Sequence, residues 1–207
     1  MADEHVYIVD DDPDIRASLG LLLEAEGMTP RCLETPEALL ATVTPDDAGC
    51  LLLDIRLPGM DGLALQSALK RQGIALPIIF ISGHGDIPMA VEAVSTGALD
   101  FLEKPLDEDQ LLEQVHRALA EDREARRHAQ DQAAIDERLA RLTDREREVM
   151  ELMLMGRLNK LIADNLGLSV RTVEIHRARV LEKLEARNAP EMVRLVLSSS
   201  AYQDWLL

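Results

Sequence analysis

Residues 6–14 read VYIVDDDPD, four apolar positions and then Asp10, Asp11, Asp12 and Asp14 within the next five. A run that is apolar without alternation suits a strand covered on both faces, the environment of a parallel sheet between helices. The aspartates crowd like charge at the end of that strand. Two unit charges about 4 Å apart repel by roughly 4 kcal/mol at an effective dielectric of 20, so such a cluster needs protons or cations to neutralise it. Asp12 and Asp14 have a simpler explanation, because they flank Pro13 at the start of a helix whose dipole favours negative charge. Asp10 and Asp11 are left to be explained.

The pattern recurs through the first 119 residues. HVYIV (5–9), TPRCL (29–33), CLLLD (50–54), PIIFIS (77–82) and LDFL (99–102) read as strands, each followed by a longer segment. After the first, Ile15, Leu19, Leu22 and Leu23 fall at helical spacing and Gly27 supplies a stop; Gly73 and Gly97 do the same later. The expected fold class is α/β, a five-stranded, doubly wound parallel sheet. Ligands in that architecture sit at the carboxyl ends of the strands. Asp54 ends the third strand, Ser82 the fourth, and Lys104 follows the fifth, so these residues share one edge with Asp10 and Asp11. Oxygen ligands of this kind suit Mg2+ (or Mn2+), which keeps several waters and leaves room for a phosphate oxygen. An ammonium and a hydroxyl beside it can hold phosphoryl oxygens.

The net charge of -16 argues against nucleic acid only until it is divided along the chain. Residues 1–119 carry 22 acidic and 7 basic side chains, residues 120–142 carry 6 and 5, and residues 143–207 carry 10 and 10. Within residues 157–187 there are 7 Arg or Lys against 4 Asp or Glu, a local positive balance. No apolar run approaches the roughly 18 residues of a membrane span, and MADEHVYIV lacks the basic region of a signal peptide, so the expected location is the cytoplasm with no membrane partner. Cys32 and Cys50 have no metal-ligand spacing and are expected to be buried free thiols.

Three regions follow: residues 1–120, a connector over 121–142, and a small all-α region over 143–207. No Gly or Pro interrupts residues 106–142, so the connector is expected to be a semi-rigid helix. Thr143 and Glu146 are spaced as a capping box before VMELMLM. NKLIADNLG, a turn at Gly167, and a helix capped by Ser169 make a helix-turn-helix pattern, and Pro190 opens a last apolar helix before the tail YQDWLL. The tail, with Tyr202, Trp205, Leu206 and Leu207, is expected to pack on that helix.

Together with DIRLPGMDG (54–62), ISGHG (81–85) and FLEKP (101–105), the acidic edge resembles the receiver domain of two-component response regulators, over residues 5–120. The resemblance implies a flavodoxin-like fold with Asp54 as phosphoacceptor. It makes Asp11, Asp54 and the Arg56 carbonyl the Mg2+ ligands, Asp10 an outer acid of the same metal site, and Lys104 and Ser82 the phosphoryl-binding groups. It implies Ser82 and Phe101 as switch residues acting on a face around Val91, Val94, Ala98 and Asp100, and a cis bond before Pro105. Leu106 stands where an aromatic is often found. His84 and Gly83, beside Ser82, read as loop residues.

NKLIADNLGLSVRTVEIHRARVLEKL (159–184) is similar to the helix-turn-helix of the LuxR-type output domain, and the whole arrangement resembles NarL/FixJ-class response regulators. The helix from Ser169 buries Val173, Val180, Leu181 and Leu184 and is expected to expose Arg171, Glu174, Arg177 and Lys183. By that resemblance Glu174, Ile175 and Ala178 face base edges of double-stranded DNA, Lys160, Arg171, Thr172 and Arg179 hold phosphates, and His176 does either; Asn159, Ser169, Arg177 and Lys183 complete the set. The implied partners are a sensor histidine kinase, DNA, RNA polymerase and a second copy of the chain when phosphorylated. The implied enzymology is limited to slow phosphorylation from small donors and self-dephosphorylation. Two other readings stand beside it: a phosphoryl sink or protein adaptor, and a Mg2+-dependent phosphohydrolase using Asp10 and Asp12.

Overall fold

The computed structural model describes residues 3–83, 91, 95–199, 201 and 202, and the chain divides into two compact units, Met1–Arg126 and Arg127–Leu207. In the first unit, strands β1 (Glu4–Val9), β2 (Pro30–Leu33), β3 (Ala48–Asp54), β4 (Ile78–Ser82) and β5 (Asp100–Glu103) form one parallel sheet in the order β2-β1-β3-β4-β5. Helices α1 (Pro13–Ala25), α2 (Pro36–Thr42) and α3 (Gly62–Arg71) follow β1, β2 and β3. After β5 the chain enters α4 (Glu108–Ala140), which runs without a break for 33 residues.

Side-chain alternation divides the sheet between two apolar layers. Tyr7, Val9, Leu51, Leu53 and Phe80 pack with Leu39 of α2 and Leu65 and Leu69 of α3. Val6, Ile8, Cys50, Leu52, Ile79 and Ile81 pack with Leu19 and Leu23 of α1 and Leu111 and Val115 of α4. Both faces of β1, β3 and β4 are covered, which is why their sequences lack polar alternation. The strand order reverses between β1 and β3, and the crevice at their carboxyl ends lies between Asp10 and Asp54.

The connector expected over 121–142 is shared between the units. Asp122 is 4% exposed and accepts from the Gly49 N–H of β3 at 3.0 Å, and Arg126 donates to it at 2.8 Å, so these residues belong to the first unit. Ile135, Leu139 and Leu142 are buried in the core of the second. A helix whose surface reads as polar all round still anchors itself wherever single buried side chains find partners.

The second unit contains the last turns of α4 and helices α5 (Asp144–Leu154), α6 (Asn159–Leu166), α7 (Val170–Lys183) and α8 (Ala189–Leu197). Thr143 and Glu146 form the capping box of α5, Ser169 accepts from the Thr172 N–H at the start of α7, and Asn188 caps α8 ahead of Pro190. Gly167 ends α6 in the left-handed conformation that the turn into α7 requires. Leu158 occupies the N-cap of α6 and, being apolar, offers no side-chain bond.

Cys50 is buried, but Cys32 is exposed, because β2 is the edge strand and turns its middle residues outward. Tyr202 lies in the core of the second unit and its hydroxyl donates to Glu151 at 3.0 Å. The expectations for His84, Val94, Trp205, Leu206 and Leu207 fall outside the described residues. Among the described residues, no helix is long and apolar enough to cross a membrane.

Candidate functional site

The acidic edge assembles as the strand ends deliver it. Ligand oxygens of Asp10, Asp11 and Asp54 lie within 4.8 Å of one another. Asp10 and Asp54 are 2% and 8% exposed, whereas Asp11 faces solvent. Each buried aspartate is held by the backbone of its own loop. Asp10 Oδ1 accepts from the Asp12 N–H at 2.9 Å, and Asp54 Oδ1 accepts from the Arg56 N–H at 2.8 Å. Their remaining oxygens converge on Lys104, whose ammonium donates to Asp10 Oδ2 at 2.9 Å and to Asp54 Oδ2 at 2.5 Å. The peptide between Lys104 and Pro105 is cis.

Electrostatics explain why these groups need one another. Burial pushes the Asp10 carboxyl above its ordinary value, an effect that the hydrogen bonds from Lys104 and the Asp12 amide oppose. Burial also pushes Lys104 down, but the hydrogen bonds to Asp54 and Asp10 outweigh it and hold the ammonium above its usual range. One ammonium against three carboxylates leaves two negative charges in excess, the charge of one divalent cation. The donor set is all oxygen and Asp11 opens to water, so these residues fit Mg2+ or Mn2+.

Ser82 is fully buried at the end of β4, and Phe101 of β5 is half-buried against the apolar layer that contains Phe80. Two contributors escape sequence reading. Arg16, one turn into α1, donates to the Asp10 carbonyl at 2.7 Å and closes the loop that carries the acids. Gly62 starts α3 so close to β3 that a Cβ would lie 2.8 Å from both the Asp54 carbonyl oxygen and Phe80 Cε1. DG after a loop reads as a helix start, but the closeness of approach is a tertiary fact. Beside Lys104, a groove of about 390 Å³ runs along α1, with Ile15, Leu19, Leu22 and Leu106 as its apolar lining and Asp14 and Glu108 as carboxylates.

The second constellation is on α7. Its buried side is marked by Val173 and Val180, and Arg171, Glu174, Ile175, Ala178 and Arg179 form the exposed stripe. Thr172 is half-buried, with its hydroxyl 2.8 Å from that of Ser169. Lys160 is exposed and Asn159 half-buried on α6. Two expected members of the exposed set, Arg177 and Lys183, lie elsewhere, as does His176 of the DNA-contacting set. At about 100° per residue, Arg177, His176 and Lys183 fall on the flanks of the helix rather than at the centre of its open face. Arg177 and His176 are half-buried, and the enclosed His176 Nδ1 has no hydrogen-bond partner among the described residues. Lys183 donates to Glu146 at 2.6 Å and to the Arg141 carbonyl at 3.0 Å, both within its own unit.

The two regions that carry these constellations each match a known family. The family described as response regulator receiver domain matches residues 6–116, and the family described as bacterial regulatory proteins, luxR family, matches residues 140–196. The chain is 41% identical over 192 residues to the transcriptional regulatory protein FixJ of Azorhizobium caulinodans, covering 93% of this chain and 91% of that one. It is similar to the solved structure of the response regulator StyR, with a TM-score of 0.88 at 38% identity, over 94% of this chain and 98% of that one. Full-length FixJ from B. japonicum matches with a TM-score of 0.59 at 39% identity, over 96% and 98% of the two chains. The chain therefore belongs to the NarL/FixJ class of two-component response regulators, transcriptional regulators rather than classical enzymes, with a receiver domain ahead of a luxR-type DNA-binding domain.

Proposed function

We propose that the Asp54 carboxylate accepts a phosphoryl group from the phosphohistidine of a sensor histidine kinase. An Asp54 oxygen bonds to phosphorus as the phosphorus–nitrogen bond breaks, and the departing imidazole takes up a proton from solvent. Asp11, Asp54 and the Arg56 carbonyl hold Mg2+ or Mn2+, with Asp10 as the outer acid. The bound ion supplies charge neutralisation in a loose transition state. Lys104 releases Asp54 and follows the phosphoryl oxygens, and Ser82 donates its hydroxyl to another. The observation that carries this reading is the Lys104 ammonium bridging Asp10 and Asp54, residues brought to it from 94 and 50 positions away.

The same geometry admits small phosphodonors and, after transfer, an attacking water, so slow phosphorylation from such donors and slow self-dephosphorylation accompany the switch. The apolar groove beside Lys104 lies next to the accepting carboxylate and is open to a phosphodonor protein. Phosphorylation shifts Ser82 and Phe101 and promotes pairing of two copies over a face that includes the exposed Val91. A pair is needed because one helix makes few phosphate contacts.

On DNA, Glu174, Ile175 and Ala178 read base edges, and Lys160, Arg171, Thr172 and Arg179 hold phosphates, with Asn159 and Ser169 at the neighbouring helix starts. Glu174 can accept from a cytosine amino group. RNA polymerase is the downstream partner, and the compartment is the cytoplasm, where that DNA lies. Duplex binding by wild type and Asp54→Asn, each with and without a small phosphodonor and Mg2+, tests the proposal. Salt-sensitive binding that tightens only for phosphorylated wild type supports it; equal binding in all four samples refutes control by Asp54, and no duplex binding at all favours a protein adaptor.

A further inference from the structure

On a basic helix next to a predicted groove-reading face, Lys183 counts in sequence as one more cation for phosphate. Its geometry is different. Lys183 is the last residue of α7, and its ammonium donates to Glu146 Oε2 at 2.6 Å and to the Arg141 carbonyl at 3.0 Å. Glu146 is 3% exposed, and the oxygen that accepts from Lys183 also accepts the Thr143 N–H of the capping box at 2.9 Å. The Glu146 carboxylate and the Lys183 ammonium together gather three points of the second unit: the carboxylate ties the start of α5 at Thr143 to the end of α7 at Lys183, and the ammonium ties that end to the turn after α4 at Arg141.

Leaving this bracket is costly. The hydrogen bonds from Lys183 and Thr143 outweigh burial and take the Glu146 carboxyl down to about 2. Withdrawing the ammonium toward a duplex strands that buried charge, whereas the exposed Arg171 and Arg179 are available to phosphate without such a penalty. The bracket also acts where it controls direction. α7 is held along its length by Val173, Val180 and Leu184 in the core, and the Lys183 contact fixes its carboxyl end, so a small pivot there moves Glu174 and Ile175 at the reading end.

We propose that Lys183 is a positioning residue of the DNA-reading helix, acting through Glu146, and not a phosphate contact; this rests on the DNA-binding reading above. Glu146 cannot reach a duplex itself, which makes it the decisive probe. Glu146→Gln keeps an acceptor for Thr143 but loosens Lys183. A positioning role makes that variant bind more weakly, while a phosphate-contacting lysine, freed and relieved of a nearby negative charge, makes it bind the same or more tightly.

The test uses the full phosphorylated chain and the duplex that wild type enriches from a randomised pool. Binding is measured across salt concentrations, with the active fraction counted by stoichiometric titration so that unfolded protein is not mistaken for weak binding. Glu146→Gln and Lys183→Met are each expected to lower affinity about 5- to 10-fold with the salt slope unchanged, the double variant is no worse than the weaker single, and Lys183→Arg restores most of the loss. A slope shallower by about 0.9 in Lys183→Met, or unweakened binding by Glu146→Gln, overturns the proposal. If wild type enriches no duplex, it is the DNA-binding reading that fails, and this inference falls with it.

Discussion

The ammonium of Lys104, just past β5, lies 2.5 Å from Oδ2 of Asp54 at the end of β3, although 50 residues separate them in the chain. Neither side chain could be left there alone, since Asp54 is nearly buried and shares its pocket with Asp10 and Asp11. The lysine is thus the counter-ion of this pocket, and in the proposed mechanism it is also the phosphoryl-binding group.

Replacing Lys104 by Met separates these roles. Without divalent cation the first unit loses stability by about 2 kcal/mol, less than for a fully buried pair because Lys104 remains partly exposed. Mg2+ is expected to return most of that loss by supplying the missing charge, yet phosphoryl transfer stays slow. Thermal unfolding with and without Mg2+, alongside phosphorylation from a small donor, checks both halves. A variant as stable as wild type without Mg2+ contradicts the counter-ion role.

The Glu146 bracket makes the second unit sensitive to acid. Its folded value of about 2 lies below the ordinary 4.5, so its contribution is complete above about 4.5 and disappears as pH falls toward 2. The contribution is on the order of 3 kcal/mol. Glu146→Gln should therefore be less stable than wild type at neutral pH and converge with it near pH 2. Denaturant unfolding of the α-helical signal at several pH values measures the difference, and parallel curves at all pH values would contradict the assignment.

Glu185 follows α7 with φ of 55°, a left-handed conformation that costs a non-glycine residue about 1 kcal/mol. It is held partly by an ion pair with Arg138 at 2.8 Å, but a largely exposed pair contributes only about 0.5 kcal/mol. The strain is the larger quantity, so Glu185→Gly is expected to raise the stability of the second unit by about 0.5 kcal/mol. A lower thermal midpoint would mean that the ion pair outweighs the backbone.

The two arginines of the exposed stripe and the glutamate between them separate in salt dependence. Arg171→Ala is expected to weaken binding on every duplex and to reduce the slope of log K against log salt by about 0.9. Glu174→Ala leaves the slope unchanged and relaxes preference at one base pair. Titrations on matched and mismatched duplexes check both, and the reverse pattern would exchange their roles.

Strand number and the acidic edge were legible because burial on both faces writes itself as unbroken apolar runs in β1, β3 and β4, and because ligands gather at their carboxyl ends. The capping box at Thr143, the cap at Ser169 and the helix start at Pro190 were equally readable, being local. What escaped were pairings across the chain. Asp122 looks like part of a solvated connector until Gly49 is seen to donate to it, and Arg16 looks like a surface residue of α1 until it reaches the Asp10 carbonyl. Lys183 and Arg177 read as exposed because charge was taken as a sign of exposure, whereas the angular position on α7 sends both to the flanks.

The central claim is tested most directly by mass spectrometry of the intact chain after exposure to a small phosphodonor and Mg2+. Wild type is expected to gain one phosphoryl group that hydroxylamine removes, located by fragmentation to Asp54, and Asp54→Asn to gain none. An unmodified wild type, or an adduct of the same lability in Asp54→Asn, would contradict the account.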